Sequence, residues 1–228
     1  MERHFHENLR ALKQKLLRMG VLVEESVGKS VHSLFQRNKE YAEDVFETEK
    51  IINQYEIEID SDGHSLLALG QPMAVDLRLI TMVLKINTDL ERMGDHAVNI
   101  SERAIALLKD PPLKMNVHLP EMAEAAQKMV HDALDSFINE DVEKARSVLK
   151  CDDEVDAYND GLYSQLTNIM EKESQLSKTC LNLVMVGHNL ERIADLANNV
   201  AEDVIYMTQG KEVRHRAENR LDFDVKFE

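Results

Sequence analysis

Leu79-Ile-Thr-Met-Val-Leu-Lys-Ile-Asn-Thr-Asp-Leu-Glu-Arg-Met-Gly-Asp-His-Ala-Val-Asn-Ile-Ser-Glu-Arg-Ala-Ile-Ala-Leu107 is the stretch that decides the fold. Within it Leu79, Val83, Ile86, Leu90, Met93, Ala97, Ile100, Ala104 and Leu107 follow one another at alternating steps of four and three. A strand would alternate at every second residue; this repeat draws a single apolar stripe along a long helix, the seam of a bundle. Leu183, Val186, Leu190, Ile193, Ala197, Val200, Val204 and Met207 draw a second one. A helix of ~35 residues would be ~50 Å long.

Upstream, Leu9, Leu12, Leu16, Met19, Val23 and Val27 mark a first helix ending near Gln36-Arg37-Asn38. A second runs from about Glu40 to Leu69 through Val45, Ile52, Tyr55, Ile59 and Leu66. Gly70-Gln71-Pro72 ends it, with Gly70 as the left-handed residue and the proline near the start of the next helix. Gly63, inside that helix, costs stability without an evident role. Asp110-Pro111-Pro112 stops the third helix. Three more helices are expected, from Pro120 to Asn139, from Asp141 to about Lys172, and from Ser174 to Gln209, with Gly210 closing the last.

The halves are alike in sequence. Asp89-Leu-Glu-Arg-Met-Gly-Asp-His-Ala-Val-Asn-Ile100 matches Asn189-Leu-Glu-Arg-Ile-Ala-Asp-Leu-Ala-Asn-Asn-Val200. Ala42, Val45, Glu49, Ile52, Asn53 and Tyr55 match Ala145, Val148, Asp152, Val155, Asp156 and Tyr158. The fold class that follows is all-α, two tandem three-helix bundles related by internal duplication. Residues 1–109 form the first bundle, 110–119 a linker, 120–209 the second bundle, and 210–228 a charged tail without a sustained seam.

Composition narrows the function. A net charge of −15 would repel a phosphate backbone, which argues against nucleic acid as partner. It suits cations or basic surfaces, although a solvated acidic exterior is the commoner explanation. Cys151 and Cys180 are isolated, so free buried thiols in a reducing cytoplasm are expected. No apolar run approaches the ~18 residues of a membrane span, so any membrane association is expected through partners. No GxSxG, P-loop or HExxH is present. The Glu-x-x-His of di-iron bundles occurs just once, from Glu212 to His215 in the tail.

The candidate chemistry lies in lines of oxygen donors. Glu91, Asp95 and Asn99, with Glu102 beyond, share one helix face, and Glu191, Asp195, Asn199 and Glu202 repeat it. Asp152 and Asp156 supply a similar pair on the preceding helix, for which Glu49 and Asn53 are the weaker counterpart. On the third helices these positions fall outside the apolar seam, as any solvated face would. Repetition of the same Glu, Arg, Asp and Asn is what simple solvation leaves unexplained. As ligands they would favour magnesium, manganese, calcium or iron over zinc or copper. Arg92 and Arg192 are expected in ion pairs or helix packing, and His96, which faces Leu196 in the repeat, stands outside the shared chemistry.

Gln71-Pro-Met-Ala-Val-Asp-Leu-Arg78 followed by Asp89-Leu-Glu-Arg-Met-Gly-Asp-His-Ala97, with Leu190-Glu-Arg-Ile-Ala-Asp195 in repeat, resembles the PhoU family of phosphate-transport accessory and regulatory proteins. The resemblance runs from the first helix to about Gln209. It implies a six-helix cytoplasmic protein, a homodimer or larger, that is not an enzyme. It further implies negative regulation of phosphate uptake and of the phosphate-starvation two-component response. The implied partners are the ATPase subunit of the phosphate ABC transporter and the membrane sensor histidine kinase. Divalent or ferric ions, including multinuclear iron, are implied on Glu/Asp-x-x-x-Asp motifs, with magnesium, manganese, calcium or zinc as alternatives and no organic cofactor. Carried onto this chain, the motif falls on Glu91 and Asp95, Glu191 and Asp195, and Asp152 and Asp156, while Glu49 is followed by Asn53. Gln71-Pro-Met-Ala-Val-Asp76 has no copy in the second half, so the halves are expected to serve different partners. A metal-free helical adaptor and a carboxylate-bridged metalloenzyme are the rival readings.

Overall fold

The computed structural model describes residues 2–112 and 117–213. Among these are six long α-helices and no strand: α1 (Glu2–Phe35), α2 (Lys39–Gly70), α3 (Ala74–Leu107), α4 (Leu119–Asn139), α5 (Val142–Lys172) and α6 (Ser177–Gln209). The expected two tandem three-helix bundles are present. α1, α2 and α3 pack on one another, as do α4, α5 and α6.

Local chemistry sets the ends. The Asn38 side chain accepts from the Glu40 N–H at 2.9 Å and Asp141 from the Lys144 N–H at 3.0 Å, starting α2 and α5 on side-chain caps. Gln71, not Gly70, takes the left-handed position after α2, with φ 47°. Gly70 is the last helical residue, and the Phe5 ring lies where a side chain on it would stand. Pro72 precedes α3, and it is Pro120 that occupies the first turn of a helix, α4. Ser174–Leu176 forms a 3₁₀ turn ahead of α6 rather than its first turn. Arg37 donates to the carbonyls of Leu107, Leu108 and Asp110, tying the α1–α2 corner to the end of α3.

The seams of α1, α3 and α6 are buried as expected except at Leu79, which is half-buried, and apolar residues of all six helices join one continuous core. Gly63 has a role after all. A Cβ there would stand 2.6 Å from Leu84 Cδ2, so the missing side chain lets α3 lie close against α2. Cys180 is buried but Cys151 only half so, and both are free.

α3 and α6 are buried on further stripes beyond their seams. On α3, Ile80, Asn87, Gly94 and Ser101 repeat every seven residues and are all buried; Cys180, Gly187, Ala194 and Ala201 do the same on α6. Another α6 stripe, Asn189, Leu196 and Asp203, is buried where α6 lies against α3. From Lys85 to His96 on α3 the partner moves back from Asp203 to Asn189 on α6, so the two helices cross antiparallel. α1 and α4 complete the junction through Lys13–Glu140 and Glu24–His131, both at 2.9 Å.

Candidate functional site

Each half carries a groove between its second and third helices, and the first holds buried carboxylate oxygens. Glu49 sits on the buried stripe of α2, between Val45 and Ile52, where the helix pattern calls for an apolar residue. It fits because Gly94 faces it: a Cβ on Gly94 would stand 2.8 Å from Glu49 Oε2 and 3.3 Å from Ile52 Cδ1. Both Glu49 oxygens and Asn53 Oδ1 are buried with no hydrogen-bond partner among the described residues. Glu91 is half-buried on the flank of α3, and Asp95 and Asn99 are exposed.

Glu49 is pushed up to about 7, chiefly by loss of hydration and then by the Asp95 charge. Asp95 also lies close enough to accept from a protonated Glu49 carboxyl, which raises Glu49 further. Asn53 works in the opposite direction and Glu91 adds to the rise. Glu91 is itself raised, by burial first and then by Asp95 and Glu56. Three like charges therefore crowd a partly dry groove, a condition a cation would relieve.

In the second half Asp152 replaces Glu49 and Ala194 replaces Gly94, so the inner acid is a methylene shorter and the groove floor a methyl higher. Asp156 is exposed, while Asp152, Asn199 and Glu202 are half-buried. Arg192 Nη1 binds Asp195 Oδ2 at 2.9 Å, and His188 Nδ1 lies 3.2 Å from Glu191 Oε2. Asp195 is raised by burial, with Arg192 opposing. Arg192 thus takes the ion-pair role expected of it, and Arg92 is exposed.

The donors suit a hard cation in the first half: oxygen alone, two buried carboxylate oxygens and an amide oxygen without partners, and a floor cleared by Gly94. Glu49, Asn53, Glu91 and Asp95 are the residues that would hold it. Among the described residues, no three His, Cys, Asp or Glu side chains yet converge on one point. Ligation would require Glu91 and Asp95, both partly solvated, to swing toward Glu49. Glu56 belongs to the surroundings and was not anticipated; its place on the α2 stripe, seven residues after Glu49, is the signal that could have found it.

A second polar cluster lies between the halves. Lys85 Nζ donates to Asp203 Oδ1 at 2.8 Å, and the Asp203 side chain is 0% exposed. Burial and then Glu212 push Asp203 up to about 7, and the Lys85 ammonium is the cation that meets it in this setting. Asp89 is raised to about 7 by burial and then by Asp203, with Arg92 opposing. His96, so far without a role, donates through Nδ1 to Asn189 Oδ1 at 2.9 Å. Its pKa is lowered, mainly by burial, so it joins the halves as a neutral ring.

Fold and grooves define a class: duplicated all-helical proteins that carry oxygen-donor lines on helix flanks. The PhoU domain matches residues 16–104 and again 119–204. The chain belongs to the PhoU family. It is 39% identical over 210 residues to the phosphate-specific transport system accessory protein PhoU homolog of Aquifex aeolicus, covering 92% of this chain and 95% of that protein. The Pseudomonas aeruginosa homolog of the same name is 37% identical over 228 residues, covering 99% of this chain and 94% of its own length. The crystal structure of PhoU from P. aeruginosa superposes with a TM-score of 0.89 at 36% identity, over 91% of this chain and all of that one. That of the phosphate transport system regulatory protein PhoU from Streptococcus pneumoniae gives 0.84 at 29% identity, over 92% and 99%. These relatives are named as accessory and regulatory proteins of phosphate transport.

Proposed function

We propose that this protein restrains phosphate uptake and phosphate-starvation signalling when phosphate is plentiful. It does so by contacts with the ATPase subunit of a phosphate ABC transporter and with the sensor histidine kinase of the phosphate response. The observation that carries this reading is the match, along nearly the whole chain, to proteins named for phosphate transport. The mechanism is coupling by differential affinity: a scaffold that binds the resting states of transporter and kinase more tightly than their active states biases both. No helix of the described residues is long and apolar enough to cross a membrane, in keeping with action on membrane partners from the cytoplasm. A homodimer would present each half twice.

In this reading the first groove, with Glu49, Asn53, Glu91 and Asp95, binds a divalent or ferric ion. Bound there, the ion would neutralise the crowded carboxylates and clamp α2 to α3. Asp152, Asp156, Glu191, Asp195 and Asn199 form the second, weaker site, with Asn99 at the outer edge of the first. The Arg192–Asp195 pair favours a metal-free second groove when cations are scarce.

Deletion with a phosphate-responsive reporter tests the regulatory reading. Expression should rise in high phosphate, and a reporter that stays repressed overturns it. Metal analysis of protein purified without chelator tests the grooves. Unchanged metal content in a Glu49→Ala, Glu91→Ala, Asp95→Ala variant sinks the metal assignment and leaves the adaptor.

A further inference from the structure

A pocket of about 220 Å³ lies between α5 and α6, toward the start of α6 from the second groove, and is lined by Asn159, Leu162, Tyr163, Val184, Met185 and His188. Tyr163 is 62% exposed and Met185 45%. Leu181, one turn before Met185 on the same face of α6, is 57% exposed. The first bundle has Asp60, Thr81 and Lys85 in the places of these three apolar residues. There the charged groups are taken up inside the chain: Asp60 accepts from Asn87, and Lys85 donates to Asp203. Scattered exposed apolar side chains are ordinary, but three gathered on one face beside a pocket mark a surface that binds.

Size and charge define the occupant. Pockets for small-molecule ligands run to roughly 300–1,000 Å³, so this smaller one suits a single apolar side chain of a larger partner. Beside it Asp153, Asp156 and Asp160 precede Tyr163 at helical spacing, and all three are exposed. From Asp152 to Glu171 α5 has no Lys, Arg or His. A second copy of this chain would bring the same acidic face against this one, so the charge selects a different, basic chain.

We propose that this α5–α6 face docks a basic amphipathic helix of a partner protein. An apolar side chain of that helix enters the pocket between Leu162 and Val184, and its Lys or Arg residues lie along the acidic flank of α5. Helices laid in grooves bind through spaced apolar anchors, while the charged rim sets orientation and rate. Tyr163 and Met185 suit the pocket mouth, where an aromatic ring and a flexible thioether adapt to the incoming side chain. The first bundle, polar at the three matching positions, offers no such face. Docking of this kind holds whether or not the partner belongs to phosphate regulation.

The probe is a synthetic amphipathic helix of Leu and Lys, about five turns long, carrying a fluorophore for anisotropy. It should bind the full chain, and added salt should weaken it. Tyr163→Asp with Leu181→Thr and Met185→Lys copies the first bundle onto this face and should lose about ten-fold or more in affinity. All three residues are exposed, so helix content should not change. Asp160→Lys, which leaves the pocket alone, should weaken binding several-fold, and the same peptide with Glu for every Lys should not bind. Failure of the Leu-Lys helix to bind overturns the proposal, as does equal affinity for the triple variant or equal binding of the Glu peptide. Sedimentation in which the triple change splits a dimer also overturns it, because a second copy would then cover the face.

Discussion

The two halves share one plan and differ at its most sensitive point. In the first, the acid facing the third helix is Glu49 over Gly94; in the second, it is Asp152 over Ala194. A longer acid over a smaller floor reaches into the bundle, loses its water and rises to about 7. The second groove instead has Asp195 engaged by Arg192 and Glu191 by His188. Duplication thus kept the residue types and varied the depth, and depth converts a solvated stripe into a strained one.

The junction between the halves shows the same asymmetry and gives the largest expected effect. Lys85 neutralises buried Asp203 at one end of the α3–α6 crossing, whereas the repeat has Met185 and Arg103 in those places. Lys85→Met should cost about 3 kcal/mol at pH 8, because it removes the ammonium that faces a buried carboxylate. The cost should shrink in mild acid, where Asp203 takes a proton. Urea unfolding at the two pH values checks it, and an equal loss at both would break the argument.

Glu49→Gln tests the first groove directly. With a folded-state value near 7 against an ordinary 4.5, Glu49 binds more proton folded than unfolded between those limits. Its contribution to stability therefore falls as pH rises through that window. Glu49→Gln should flatten this fall and stabilise the metal-free protein by roughly 1 kcal/mol at pH 8, less than the full shift implies because the groove is partly solvated.

Gly94→Ala copies the second half into the first. The helix gains up to about 1 kcal/mol from propensity but must move the Glu49 carboxyl outward, so net stability should change by less than that. The Glu49 titration, followed by carboxyl NMR, should drop toward the ordinary range. The reverse exchange, Ala194→Gly with Asp152→Glu, should raise the new acid's pKa.

The smallest effect is Arg192→Ala. A partly exposed ion pair contributes about 0.2–1 kcal/mol, so thermal unfolding should barely move. Cation uptake by the second groove should rise once Asp195 is released, and unchanged uptake would show that the pair does not gate that groove.

Much of this was legible in the chain. The four-three spacing from Leu79 to Leu107 could belong only to a long bundled helix, and the matching Leu-Glu-Arg motifs announced the duplication. That Glu91 and Asp95, and Glu191 and Asp195, lie together could be read from their spacing, because residues three and four apart share a helix face wherever the helix lies. Glu49 looked like the weaker member, judged by Asn53 standing where the motif has Asp. Its place on the α2 stripe was the clue to its burial.

What the sequence determined by itself was local: periodicity, punctuation and the choice of residue on each face, all fixed by the geometry of one helix. What only the tertiary structure decided was depth and partnership. The faces of α3 that looked solvent-facing are covered by α2 on one side and α6 on another, which dried Glu49, buried Asp203 and gave His96 a partner. Helix periodicity says which residues lie together; the helices that close over them set their hydration, and hydration sets their charge.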